Sequence, residues 1–308
     1  MQTTTTTTLE APQLDECSVY PRHPRGLPPD EIRTRRYTLR FARDGRDLEA
    51  IQRLRFRVFN EELNEGLAAS RESGLDRDPY DARCHHLLVL DTATGEAVGT
   101  YRLMTRETAH GESFYSDSEY YLGALPSHIA SDAVEAGRAC VAADHRNGRV
   151  IRMLFAGLAR YLAWNNKRYL FGCCSVPTLV PAEMYALLAR LQGEGHVDSE
   201  ILLAARPHVR EPMPPLADVA AQLAAVEAPA LMTTYIRLGA RVISEPAFDR
   251  DFNVSDLMVL LDVHGMEPRV LAQPDLRGRQ PGRLIHRRDE ARVVSGGGLA
   301  SLGLRRGR

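Results

Sequence analysis

The segment AVEAGRACVAADHRNGRVIRMLFAGLARYLAWNN constrains the fold more than any other. Its second half places Ile151, Leu154, Phe155, Leu158 and Leu162 on one side of a helix. Such a stripe has to be buried against another layer of structure. Its first half, AVEAGRACVAA, reads as a strand that carries Glu135 and Arg138. Between the two lies DHRNGRV, which is polar and contains a single glycine. A further strand, RYLFGCCSV, follows the helix.

The rest of the chain fits the α/β layout that this unit begins. RYTLRFA alternates as a strand does. DLEAIQRLRFRVFNEEL spaces Leu48, Ile51, Leu54, Phe59 and Leu63 near the helical period, with Asp47 as the expected N-cap. HHLLVLD and EAVGTYRLMT flank TATG, a hairpin signature. HGESFYSDSEYYLGALPSHIASD is irregular, with some helix expected. PAEMYALLARL is helical, with Pro181 in its first turn. EILLAARP reads as a short strand. PLADVAAQLAAVEAPALMTTYIRLGA reads as helical segments broken at Pro229, and RVISEPAFD and VSDLMVLLDV as two closing strands. No internal repeat is visible. The expectation is one domain over residues 36–270 built on a single mixed sheet, between a disordered Thr- and Pro-rich leader at 1–35 and a disordered basic tail at 271–308.

Composition excludes several classes. A net charge of −1 nominates no nucleic-acid partner. No apolar run approaches the roughly 18 residues that a membrane span needs. The start, MQTTTTTTLE, has neither a basic stretch nor an apolar core, so no secretory signal is expected. Five cysteines, two of them adjacent at 173 and 174, suit a reduced cytoplasmic protein better than a disulfide framework. From Arg277 onward nine arginines face only Asp289 and Glu290. Two readings fit that tail: a solvated, disordered end, or a peripheral attachment to anionic lipid on the inner membrane surface.

The basic loop points toward chemistry. Helix N-termini present unpaired N–H groups and partial positive charge, so Arg146, Asn147, Gly148 and Arg149 suit a phosphate. An ordinary polar turn would look the same. Strand, loop, helix and strand in this order resemble the core of the GNAT acyltransferase superfamily, with its central mixed sheet flanked by helices. LRFRVFNEEL, DRDPYD, GTYRLM and EAGR together closely resemble the acyl-homoserine lactone synthase branch. LMTTYIRLGARVISEPAFDRDFNVSDLMVLL is similar to the hemolysin-type acyltransferase family that includes the L-ornithine N(alpha)-acyltransferases.

The resemblance covers about Arg36 to Met266 and implies a reaction. A 3-hydroxyacyl chain, held as a phosphopantetheine thioester on acyl carrier protein or coenzyme A, passes to the alpha-amine of ornithine. No bound cofactor or metal is implied. Glu135 is then the expected base, with Arg138 beside it; a structural salt bridge to an arginine is the other reading of Glu135. On an ideal strand residues three apart face opposite sides, so a bulge would be needed to bring both to one site. Tyr235 would protonate the leaving thiolate, or else simply pack. Backbone N–H groups from Ala139 to Ala142, including that of Val141, would polarise the thioester carbonyl. Arg55 and Arg102 suit the amino-acid carboxylate, and Asp78 and Asp81 the second ammonium; an internal ion-pair network is the alternative for all four. Phe59 is expected near the acyl chain or the loop. Cys140 is not expected to be a nucleophile, because amine attack on a thioester needs no covalent intermediate. Cys84, His85 and His86 match no common zinc spacing. Acceptance of a different amine, and a silent acyl-binding protein at a membrane surface, are the rival functions.

Overall fold

Local cues in the sequence become elements in the order expected, with shifts at their ends. The computed structural model describes residues 20–66, 69–223 and 225–265. Strand β1 (Ile32–Arg33) precedes β2 (Tyr37–Phe41) and helix α1 (Gly45–Phe56). The cap of α1 is Asp44, where Asp47 was expected. The Asp44 carboxylate accepts from the amides of Arg46 and Asp47 at 3.0 and 2.9 Å. A cap must be extended and sit just before the first helical residue, as Asp44 does. Asp47 lies one turn in and holds the Arg40 guanidinium instead. The helix continues as a π-helical stretch, Arg57–Glu62.

Helix α2 (Ser70–Ser73) leads to the hairpin of β3 (His85–Asp91) and β4 (Ala97–Thr105). Two short helices, α3 (Arg106–Ala109) and α4 (Ser127–Ser131), precede β5 (Ala133–Val141). Then come α5 (Arg149–Trp164), β6 (Tyr169–Val176), α6 (Pro181–Gly193), α7 (Leu216–Gln222) and α8 (Ala230–Arg237). β7 (Arg241–Val242), β8 (Ala247–Asp249) and β9 (Val254–Asp262) close the fold.

These strands make one nine-stranded sheet in the order β1-β2-β3-β4-β5-β6-β9-β7, with β8 also on β9. β5 and β6 pair in parallel and every other pair is antiparallel, so the sheet is mixed. Helix α5 is the crossover that a parallel pair requires. It buries Val150, Met153, Leu154, Leu158, Tyr161 and Leu162. Ile151 and Phe155, expected within that stripe, flank it and are only partly buried. Alternate residues of β3 face opposite layers: Leu87 and Val89 join the α5 core, while Leu88 packs with Leu48, Ile51 and Leu54 of α1.

Three expectations need correction. Disorder does not extend through residue 35: Tyr20 and Leu27 are buried, and Ile32 pairs with Leu39. The first part of the leader and the basic tail lie outside the described residues. EILLAARP forms isolated bridges, Leu203 to Ser244 being one, and no continuous strand. RVISEPAFD is two strands, β7 and β8, because Pro246 has no N–H to give to a ladder. Among the described residues no helix is long and apolar enough to cross a membrane.

Candidate active site

The site begins where two neighbouring strands part. β5 and β6 pair only through Ala133–Tyr169, Val134–Leu170 and Glu135–Phe171. Beyond Glu135 the edge of β5 that faces β6 has no ladder partner. Gly172 stands at the head of this parting and lets the two backbones stay close there. A Cβ there would lie 2.1 Å from the carbonyl oxygen of Ala136.

On its other edge, β5 carries a bulge. Thr100 pairs with Cys140 and Arg102 with Gly137, so two residues of β5 stand opposite the single Tyr101. Arg138 takes up the extra length in a left-handed conformation, φ 50°. The bulge puts Arg138 on the same cavity as Glu135, although ideal strand geometry would separate them. This cavity has a volume of about 270 Å³. Glu135, Arg138, Tyr235, Phe59 and Arg102 all line it.

Glu135 is buried and makes no ion pair among the described residues. Its carboxylate accepts instead from the amides of Tyr115 and Ser116, at 2.8 and 2.7 Å, and from the Ser116 hydroxyl. Burial raises its pKa; these hydrogen bonds pull the other way without cancelling the rise. A carboxyl held up in this manner is better matched to accepting a proton near neutral pH. Tyr235, on α8, shares a 2.6 Å hydrogen bond with the Tyr101 hydroxyl. Burial pushes both phenols up, so both remain protonated.

Arg55, Asp78 and Asp81 do not line the cavity; they stand behind its wall. Arg55 is fully buried, and donates through Nε to Asp76 at 2.6 Å and through Nη1 to Asp81 at 2.8 Å. Arg102 bonds Asp78 and, at 3.2 Å, Asp81. Burial alone would raise the Asp81 carboxyl, but Arg55, His86 and Arg102 take it well below the usual carboxylate range. Asp78 is lowered too, Arg102 and Arg138 outweighing its burial. Three arginines and three aspartates thus form an internal frame that fixes Arg102 and Arg138 at the cavity. Asp76, the first residue of DRDPYD, is a member that was not singled out from the sequence.

The expected phosphate loop lies outside the cavity lining, at the start of α5. Gly148 is the N-cap residue, with φ 82° and no side-chain cap, and Asn147 Oδ1 accepts from the Arg149 amide at 3.1 Å. Arg146 donates to the Val141 carbonyl at 2.9 Å and to Glu62. Burial pushes the Cys140 thiol up to about 12, which leaves it a poor nucleophile. His85 and His86 have separate partners: His85 meets the Tyr161 hydroxyl and the His23 carbonyl, while His86 meets the Asp81 carbonyl.

Several lining residues were missed: Tyr115, Ser116, Glu119, Cys173, Asp249 and Asp256. Only Asp256 left a trace, as a lone charge at the head of the apolar strand SDLMVLL. Glu119, Cys173 and Asp256 place ligand atoms within 4.8 Å of one another.

The sheet, the parted strands and the carboxyl–tyrosine cavity define an acyltransferase of the GNAT class, and residues 54–156 match the acetyltransferase (GNAT) domain family. An L-ornithine N(alpha)-acyltransferase of Rhizobium meliloti is 34% identical over 272 residues, covering 84% of this chain and 91% of that protein. One of Rhodobacter capsulatus is 36% identical over 245 residues, covering 76% and 92%. The chain belongs to the L-ornithine N(alpha)-acyltransferase family. Solved structures overlap more loosely. The AHL synthase LasI has a TM-score of 0.44 at 11% identity over 76% of this chain and 94% of its own. FeeM, an N-acyl amino acid synthase from uncultured soil microbes, has a TM-score of 0.44 at 14% identity over 75% and 93%.

Proposed function

We propose that this protein transfers a 3-hydroxyacyl chain from the phosphopantetheine thioester of acyl carrier protein to the α-amine of ornithine, opening the synthesis of an ornithine lipid. The observation that carries this reading is the convergence of Glu135, Arg138 and Tyr235 on one cavity at the parting of β5 and β6. The amine arrives as an ammonium, and Glu135 takes its proton. The free amine attacks the thioester carbonyl. The developing oxyanion is met by amides of the unpaired β5 edge, those of Ala139 and Val141; the Ala142 amide, expected with them, already donates to the Val98 carbonyl of β4 at 2.9 Å. The C–N bond forms, the C–S bond breaks, and the sulfur leaves with the electron pair. Tyr235 supplies the thiol's proton, and the Tyr101 hydroxyl stabilises the phenolate until it takes up the second proton, which the nitrogen gives up as the amide forms. Direct attack needs neither a metal nor a covalent enzyme intermediate.

The donor binds through the loop at the head of α5. Arg146, Asn147, Gly148 and Arg149 offer cations and helix-terminal amides to the pantetheine phosphate. Coenzyme A presents similar chemistry, so the two donors compete for one loop. Phe59 packs against the acyl chain. Arg55, Asp78 and Asp81 act by holding Arg102 and Arg138 in place and do not touch the acceptor.

Replacing Glu135 by glutamine tests the base directly. The shape is kept and the proton acceptor is lost, so turnover falls by roughly 10²–10⁴-fold with an unchanged fold. Near-native rates between about pH 6 and 9 would contradict the assignment.

A further inference from the structure

We propose that Glu119 and Asp256 seat the side-chain ammonium of the acceptor while Arg138 holds its α-carboxylate. This rests on ornithine being the acceptor. Glu119 and Asp256 are 4% and 3% exposed, and both line the cavity. Neither makes an ion pair among the described residues. Asp256 accepts from the Ser175 hydroxyl at 2.8 Å, and Glu119 from the Cys173 thiol at 3.6 Å. Asp249 lines the same wall, but its Oδ1 is occupied by the amides of Asp251 and Phe252. Buried carboxylates with no cation need a positive partner before they can ionise without large cost.

Arg138 supplies the independent sign of a ligand. Its side chain is 10% exposed and lines this cavity. Its buried Nε and Nη2 make no hydrogen bond. Asp76 and Asp78 form loose ion pairs with it at 3.9 and 3.5 Å, which fix its place and leave these N–H groups without a hydrogen-bond acceptor. The guanidinium is held over the Phe252 ring at 4.4 Å. A planar cation with free N–H groups suits a carboxylate. One cavity therefore offers a carboxylate seat, a base and an ammonium seat. An α-amino acid with a second amine presents the matching three groups. Asp78 and Asp81, from which an ammonium seat was expected, are already paired with Arg102 and Arg55.

The test compares ornithine with norvaline, which lacks the terminal ammonium, at a fixed saturating acyl donor after dialysis against a chelator. A charge-assisted hydrogen bond corresponds to a preference of roughly 10- to 150-fold in kcat/KM for ornithine in the wild-type protein. Asp256→Asn and Glu119→Gln should shrink that preference to under about threefold, by raising the KM for ornithine. Arg138→Lys should weaken both acceptors alike. Ligand-induced shifts in Tm give the same comparison without turnover: ornithine should raise the Tm of the wild type and leave that of Asp256→Asn unmoved. An undiminished preference in both carboxyl variants overturns the proposal. So does a preference that collapses in Asp78→Asn instead, or activity that is lost to the chelator and restored by a divalent cation. Failure of the wild type to acylate ornithine at all is a different result, which overturns the functional reading beneath the proposal.

Discussion

Several acids that line the cavity are buried without compensating cations bonded to them. Burial is the main cause that lifts Asp256 to about 7, with Asp249 and Glu65 adding to it and Ser175 and Arg138 opposing it. Glu119 and Asp249 are raised as well, again chiefly by burial. An acid with a raised native pKa binds more protons folded than unfolded. Its contribution to stability is present below the unfolded pKa, near 3.9, and is lost as pH rises toward about 7. Asp256→Asn removes that loss. Its Tm should exceed that of the wild type at about pH 8, and the gain should vanish near pH 4. Calorimetry at the two pH values checks this, and a lower Tm for the variant at the higher pH would contradict it. Such a gain at the expense of acceptor selectivity is the usual trade between stability and function. Glu135 and Arg138 were legible because they stand in one short motif, E-x-x-R. Glu119 and Asp256 were not, because they meet only across folded space. The frame around Arg55 was legible as one of two readings, and burial decided between them.

Elements translate those side chains into position, and the seam between β5 and β6 matters most. Gly172→Ala would drive a methyl group into the Ala136 carbonyl, forcing the strands apart or out of register. Activity should fall by more than about tenfold, since small displacements at a reacting centre are costly. Unchanged kcat/KM in this variant would show that the seam is not part of the site. Helix α5 holds the other side of β5 in place. Leu158→Ala should lower unfolding free energy by about 2–5 kcal/mol in urea titration, the range for a buried leucine. The helix was readable from its 3.6-residue stripe, although the buried face is turned so that Val150 and Met153 replace Ile151 and Phe155. EILLAARP was misread because a short apolar run can also lie along a surface, and only continuous pairing makes it a strand. The bulge at Arg138 left no pattern in the sequence, for it depends on register against β4.

At the scale of the whole molecule, the proposed reaction asks for an anionic donor and a cationic acceptor at separate places. Basic groups gather at the head of α5, and acids line the inner cavity. Joint replacement of Arg146 and Arg149 by alanine should raise the KM for acyl carrier protein, with an effect that shrinks as salt rises. An unchanged KM at low salt would remove the donor from this loop. The order of elements and the mixed sheet followed from the sequence because helix and strand periods are local. The cavity did not, because it is enclosed by strands far apart in the chain. The proposed reaction rests on the amide bond that is made. Incubation of the protein with 3-hydroxyacyl carrier protein and ornithine, followed by tandem mass spectrometry, tests it most directly. The expected product is ornithine carrying one 3-hydroxyacyl amide, with fragments that locate it on the α-nitrogen. Acylation of the side-chain nitrogen, or of glycine and norvaline as readily as ornithine, would contradict the account.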